Sequence, residues 1–364
     1  MKYRNLYIAA SSQHVGKTTS TLGLVTAFQR MGIQVGYCKP VGQKFVDVKQ
    51  LRVDKDALLF SNVMHFPLDH AIHSPVILGP GATASYLDHP EKFDYRERIC
   101  YASSVLQASN ELVIFEGTGH PGVGSIVGLS NADVAEMLDA AVVLVVEGGI
   151  GSTVDMLGLC LARFRKNNIP IVGVIINKVH EDRTEKVRHY VGGVLDKLGI
   201  PLLGILPYDQ SMILVLIKTV VEAIDGIVIY NEDRLYNKVQ DIVAGSLIDK
   251  EDLKGKDLLL VVSAMRVDAA IEKLEFLSHL VGQTESPLSG IIATGHGAIS
   301  DSSIEYIKKH KIPLIRTSLD TYGSVLKISR IEVKINKNTP WKVNRAIEMI
   351  EKNVDLSRLL QRLD

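Results

Sequence analysis

The strongest chemical signal in the chain is a lysine set among small and polar residues: Ser11-Ser12-Gln13-His14-Val15-Gly16-Lys17-Thr18-Thr19. A run of this kind binds phosphate. Backbone N–H groups of a tight loop and of a helix start surround the phosphate oxygens, a lysine reaches the β and γ oxygens, and a threonine hydroxyl joins Mg²⁺. Lys17 and Thr18 would take those two roles, with Gln13, His14, Val15, Gly16 and Thr19 completing the cradle. The spacing is that of a P-loop, GxxxxGK[ST], except that Ser11 stands where the first glycine belongs. A serine can turn there while its φ stays in the allowed region.

A second cluster of candidates lies around Glu116, which opens the glycine-rich stretch Gly117-Thr118-Gly119-His120-Pro121-Gly122-Val123-Gly124. A carboxylate at the end of a strand, beside a loop with free N–H groups such as those of Gly117 and Gly119, sits where ligands bind in open α/β sheets. Glu116 is thus a magnesium candidate, against the plainer reading that it only caps its loop. Asp54 and Asp56 alone look more like a solvated charged pair. His120 has no partner histidine at ligand spacing, and His65, His70 and His73 lack a cysteine or carboxylate pattern, so a metal site there is not expected.

These residues need a scaffold, and the pattern supplies one. Short β-branched runs at 6–10, 35–39, 112–116, 141–146, 171–177 and 202–206 alternate with helical periods, as in a parallel sheet with helices on both faces. Residues 18–31 form the first helix, stopped at Gly32. Residues 67–90, rich in proline, read as a long ordered loop over the sheet edge. A second, smaller α/β alternation follows, with strands at 258–263, 290–294 and 313–317 and helices at 268–280 and 302–310. Thr339-Pro340 reads as a hydroxyl N-cap before a last helix. The expected division is 1–215, 216–334 and a helical tail, 335–364.

Composition excludes several classes. The 364 residues carry 41 basic and 41 acidic side chains, 20 of each within 1–215, so neither half offers an electrostatic grip on nucleic acid or an anionic membrane. Three scattered cysteines fit neither a disulfide framework nor a CxxC metal site. No apolar run approaches the ~20 residues of a membrane span, and the N-terminus lacks a signal h-region. A cytoplasmic protein with no nucleic-acid or membrane partner is expected.

Gly16-Lys17-Thr18, Lys39-Pro40-Val41-Gly42, Lys55-Asp56-Ala57-Leu58, Glu116-Gly117-Thr118-Gly119 and Asn177-Lys178, in that order, make residues 3–210 resemble dethiobiotin synthetase. The resemblance implies ATP and Mg²⁺ as cofactors, Asp56 and Glu116 as metal ligands, Lys39 as a catalytic lysine beside Lys17, Asn177 as the reader of adenine, and a homodimer. Ser11, His14, Gln43 and residues 147–152 depart from that family around its substrate. The stretch Glu116–Ser125 looks closer to the dethiobiotin-synthetase-like N-terminal region of long bacterial phosphotransacetylases, where a DRTGG domain follows. The second half resembles a degenerate DRTGG domain, with Met265-Arg266 for Asp-Arg and Thr294-Gly295-His296 for Thr-Gly-Gly. About thirty residues then remain, far short of the ~100 of an acetyltransferase domain.

Two functions compete on this basis. One is a nucleotide-dependent sensor or regulator, favoured by the two-domain order and the altered substrate pocket. The alternative is an ATP-dependent ligase of a small carboxylate or amine, of the dethiobiotin synthetase or cobyrinic acid diamide synthase type, favoured by Lys39 and Glu116. A small-molecule substrate or effector is expected in either case. A partitioning-type switch ATPase would want a second lysine early in the loop, and none lies between Ser11 and Gly16.

Overall fold

The computed structural model describes all residues except 49–50, 245–255, 281 and 283–284. Six parallel strands form the first sheet: β1 (Asn5–Ala10), β2 (Val35–Cys38), β3 (Leu112–Glu116), β4 (Ala141–Glu147), β5 (Ile171–Val179) and β6 (Leu202–Pro207), in the order β6-β5-β4-β1-β3-β2. Apolar residues run almost unbroken along β1, β3 and β4 because both faces of these central strands are covered. Tyr7, Ala9, Val142, Leu144 and Val146 join one core with Phe164, Val191 and Leu195, while the alternating Leu6, Ile8, Val143 and Val145, equally buried, turn to the opposite face. Among the helices are α1 (Lys17–Arg30), α2 (Lys55–Met64), α3 (Tyr95–Ser109), α4 (Gly151–Lys166) and α5 (Thr184–Lys197). Helix α1 ends where Gly32, at φ +85°, lets Ile33 N–H reach back to Phe28 O.

Strand order reverses at β1, whose neighbours β3 and β4 are reached by crossovers in opposite directions. A crevice opens at the C-terminal end of such a strand. Residues 67–90 differ from the expected plain loop: Asp69 caps a short helix, His70–His73, Val76–Ile77 pairs in parallel with Val41–Gly42, and Ala82–Asp88 is helical. These pieces are too short to leave a period in the sequence.

The second sheet contains β7 (Ile227–Tyr230), β8 (Asp241–Ala244), β9 (Leu258–Ser263), β10 (Leu288–Thr294) and β11 (Leu314–Thr317), in the order β7-β11-β10-β9-β8. Only β7 is antiparallel to its neighbour. Helices α6 (Val267–Leu280), α7 (Asp301–Lys309) and α8 (Thr321–Ser329) accompany it.

The chain then returns to the first sheet through α9 (Pro340–Asn353) and α10 (Leu356–Leu363). Two units result instead of three consecutive segments: 1–209 with 335–364, and 210–334. The boundary expected at 215 moves because Val215-Leu216 pairs with Lys238-Val239 of the second unit. The expected tail is part of the first unit, where Ala346, Ile347 and Ile350 are buried and Asp355 N–H bonds Leu203 O. Thr339 does not cap α9 as expected, since its hydroxyl is used by the backbone of Asn336. No helix among the described residues is long and apolar enough to cross a membrane.

Candidate functional site

The loop between β1 and α1 turns at two left-handed residues, His14 (φ +62°) and Gly16 (φ +93°). Ser11 keeps an ordinary φ and donates its N–H to Val145 O, so the missing first glycine is not needed for this path. Gly16 is. A Cβ there would fall 2.0 Å from Asn177 Nδ2. Val15 is buried beneath the loop, Gln13 and His14 are exposed, and Lys17, Thr18 and Thr19 occupy the first turn of α1. The N–H groups of that turn have no intrahelical acceptors and carry the positive end of the helix dipole.

The loop is tied to both neighbouring strand ends. Asn177, at the end of β5, donates from Nδ2 to Val15 O at 2.8 Å and accepts Lys178 N–H at Oδ1, also at 2.8 Å. The adenine-reading candidate is thus a brace of the phosphate loop. Toward β3, Lys17 Nζ donates to Gly119 O at 3.2 Å, and Thr18 Oγ1 donates to Glu116 Oε1 at 2.8 Å.

Glu116, fully buried, joins this loop to a charged cluster at the end of β2. Lys39 Nζ lies 2.9 Å from Glu116 Oε1 and 2.8 Å from Asp56 Oδ2. Burial alone would weaken the Lys39 charge, but Asp56, Glu116 and Asp54 outweigh it and hold the ammonium above the ordinary lysine range. Asp54, whose side chain caps α2 at Asp56 N–H, is pushed up to about 7, mainly by burial and against the pull of Lys39. The charged pair Asp54 and Asp56 is therefore part of the buried site and not a solvated face.

Magnesium fits this donor set. Thr18, Glu116 and Asp56 offer oxygen atoms only, the donor type that magnesium prefers. No group of three His, Cys, Asp or Glu side chains among the described residues could hold an ion unaided. An ion here would take its other ligands from water and nucleotide phosphates, as magnesium commonly does.

The glycine-rich loop differs from expectation in one respect. Gly117 N–H is spent on Ile8 O, and a Cβ at Gly117 would lie 2.3 Å from Asn131 Oδ1, so this glycine serves packing and offers no free donor. Gly119, at φ +60°, presents its carbonyl to Lys17. His120 is exposed, its Nδ1 accepting Gly122 N–H. His73 is buried and stacks on Phe66 with ring centroids 4.2 Å apart.

Two contributors escaped the sequence reading. Tyr37 hydroxyl donates to Glu116 Oε2 at 3.3 Å. Asn131 accepts the Tyr7 hydroxyl and Thr118 N–H, and donates to Thr118 O and His120 O, fixing the loop after Glu116. The signal for Asn131 was the Ser130…Asp133 capping box, which places it on the first turn of a helix. Behind Tyr37 a cavity of about 1030 Å³ opens beside β2, lined by Val35, Val53, Leu58, Phe66, Ile72 and His73 among others.

Comparison with known proteins agrees with this geometry. The AAA_26 family model, described as an AAA domain, matches residues 4–213, and the DRTGG domain model matches 219–331. Hydrogenobyrinate a,c-diamide synthase of Brucella suis is 32% identical over 210 residues, 57% of this chain and 41% of the relative. Phosphate acetyltransferases of Deinococcus radiodurans and Nitratidesulfovibrio vulgaris are each 22% identical, over 99% of this chain and 51% of their own. The chain spans about half the length of these curated relatives, or less. The solved MinD cell division protein of Aquifex aeolicus aligns at 14% identity over 57% of this chain and 84% of its own, with a TM-score of 0.36, a likeness that carries no argument. With its P-loop, its parallel sheet and a family match over more than half its length, the chain belongs to the AAA_26 family of P-loop NTPase domains, here followed by a DRTGG domain.

Proposed function

We propose that the first unit binds ATP with Mg²⁺ and that the chain acts as a nucleotide-dependent sensor or regulator, its second unit responding to occupancy. The observation that carries the reading is the continuous chain of contacts from Thr18 through Glu116 to Lys39 and Asp56, with Lys17 bonded to Gly119 O beside it. It joins a phosphate loop to a carboxylate cluster suited to Mg²⁺. Lys17 would meet the β and γ oxygens, Thr18, Asp56 and Glu116 the cation. Both units together align with about half of the longer phosphate acetyltransferases, so this pair of domains occurs there joined to further sequence, as a regulatory part would be. A homodimer and a cytoplasmic location belong to the same proposal.

A second reading has its own support. Lys39 is buried between Asp56 and Glu116, at the edge of the site where a γ-phosphate would leave. In an ATP-dependent ligase a substrate carboxylate oxygen attacks the γ phosphorus, the bond to the bridging oxygen breaks, and ADP departs. Lys17 and Lys39 would stabilise the charge that shifts in this step. The cavity behind Tyr37 is large enough for a small-molecule substrate or effector.

Calorimetry with ATP and Mg²⁺ tests the shared premise: Lys17→Ala should lose at least a hundredfold in affinity, and unchanged binding would remove the P-loop reading. ATP turnover that requires an added carboxylate or amine would then select the ligase. Negligible turnover, with ATP-dependent protection of residues 216–334 from hydrogen exchange, would select the sensor.

A further inference from the structure

Two buried polar groups, one on α1 and one on α9, are not used by the site described above. Helix α9 packs on α1 through Gly23, where a Cβ would fall 2.3 Å from Ile350 Cγ1 and 2.8 Å from Ala346 O. One turn nearer the start of α1, on the same face, Ser20 is fully buried and its hydroxyl has no hydrogen-bond partner. One turn nearer the start of α9, on the stripe of Ala346 and Ile350, Lys342 is only 1% exposed. Among the described residues no carboxylate or carbonyl takes its ammonium, and its recorded contact is the ring of Trp341, 5.8 Å away. Burial pushes Lys342 down to about 8, as expected of an ammonium without a counter-charge.

The direction of α9 decides where this pair points. Val354 meets Gly204 in the middle of β6, while Arg345 ion-pairs with Asp209 beyond its end. Helix α9 therefore runs opposite to β6 and begins at the C-terminal edge of the sheet, the edge that carries the phosphate loop. Contacts of Gly23 with Ala346 and Ile350, and of Arg30 with Glu351, show α1 running the same way. Side chains lean toward the start of their helix, so Ser20 and Lys342 both lean toward that edge.

A nucleotide in this loop has its ends distinguished. The carboxylates and Lys39 lie on the side of β3 and β2, which assigns the γ-phosphate and metal to that side. The nucleoside end would leave toward β5 and β6, where Asn177 braces the loop and Arg345 of α9 pairs with Asp209. We propose that Lys342, assisted by Ser20 on the facing helix, binds the nucleoside-monophosphate end of a purine nucleotide held in the loop. Its ammonium donates to acceptor atoms of the α-phosphate or base. The chain segment that follows the second unit thus supplies part of the first unit's ligand site. This rests on the nucleotide reading above.

Calorimetry on the full chain with ATP–Mg²⁺ and with inorganic tripolyphosphate–Mg²⁺ tests it, with circular dichroism to confirm that each variant folds. Lys342→Met should weaken ATP by about tenfold or more while leaving tripolyphosphate unchanged, and Lys342→Arg should recover part of the ATP affinity. Equal ATP affinity in wild type and Lys342→Met overturns the proposal. So does equal loss for ATP and tripolyphosphate, or equal loss in the Met and Arg variants, since each would mark a packing effect. A wild-type chain that binds neither ligand refutes the nucleotide reading itself, which separates the two failures.

Discussion

Lys342 makes a prediction about stability that runs opposite to its predicted effect on binding. Its folded pKa, pushed down to about 8 by burial, lies below the ordinary lysine value of 10.5. Between those values the unfolded chain holds more protons than the folded one, so stability rises with pH across that window and is at its penalised level below pH 8. The full span of about 2.5 units corresponds to roughly 3 kcal/mol at 1.36 kcal/mol per unit. Relaxation of the protein around the buried ammonium lowers this to about 1–3 kcal/mol. Methionine has similar length and no charge, so Lys342→Met should stabilise the ligand-free protein by that amount at pH 7 and by much less at pH 10. Urea unfolding of both proteins at the two pH values, followed by tryptophan fluorescence of the lone Trp341, measures the difference. A variant less stable than wild type at pH 7, or a difference independent of pH, would refute the claim that an unpaired buried charge sits there. Greater stability with weaker ATP binding would be the signature of a group kept for its ligand.

Other outcomes follow from the same contacts. Lys39→Met leaves the fully buried Glu116 without this ammonium and should cost about 3–5 kcal/mol, with Glu116→Gln in the same chain restoring part of it; strict additivity in unfolding measurements would deny the coupling. Gly23→Ala should destabilise by about 1–3 kcal/mol through the clash with Ile350 and the Ala346 carbonyl, and a melting temperature equal to wild type would contradict that packing. Asn177→Ala should weaken ATP and GTP by the same factor, because its amide braces Val15; a loss confined to adenine nucleotides would return Asn177 to the base.

Much of this was legible in the sequence because parallel strands covered on both faces leave unbroken apolar runs. The strand expected at 112–116 matches β3, and that expected at 258–263 matches β9. The strands β7 and β8 were not anticipated. Each has four residues at a sheet edge, and Ile227 is 68% exposed, so neither continuous burial nor clean alternation marks them. The phosphate loop could be read from spacing alone, since its chemistry is local. The roles of Tyr37 and Asn131 could not, because each depends on a contact with a residue far away in the chain. Gly117 was misread as a donor for a related reason: nothing local says that its N–H is taken by Ile8.

The return of residues 335–364 to the first unit has a consequence for synthesis. Tyr3 N–H bonds Leu363 O, Gly23 waits for Ala346 and Ile350, and β6 waits for Val354. A chain emerging from the ribosome can build the six strands and α1, yet the groove along α1 and β6 stays open until residues 210–334 have been made. Completion of the first unit therefore reports that the second has been translated in full, and a truncation within 210–334 exposes an apolar seam for quality-control factors to recognise.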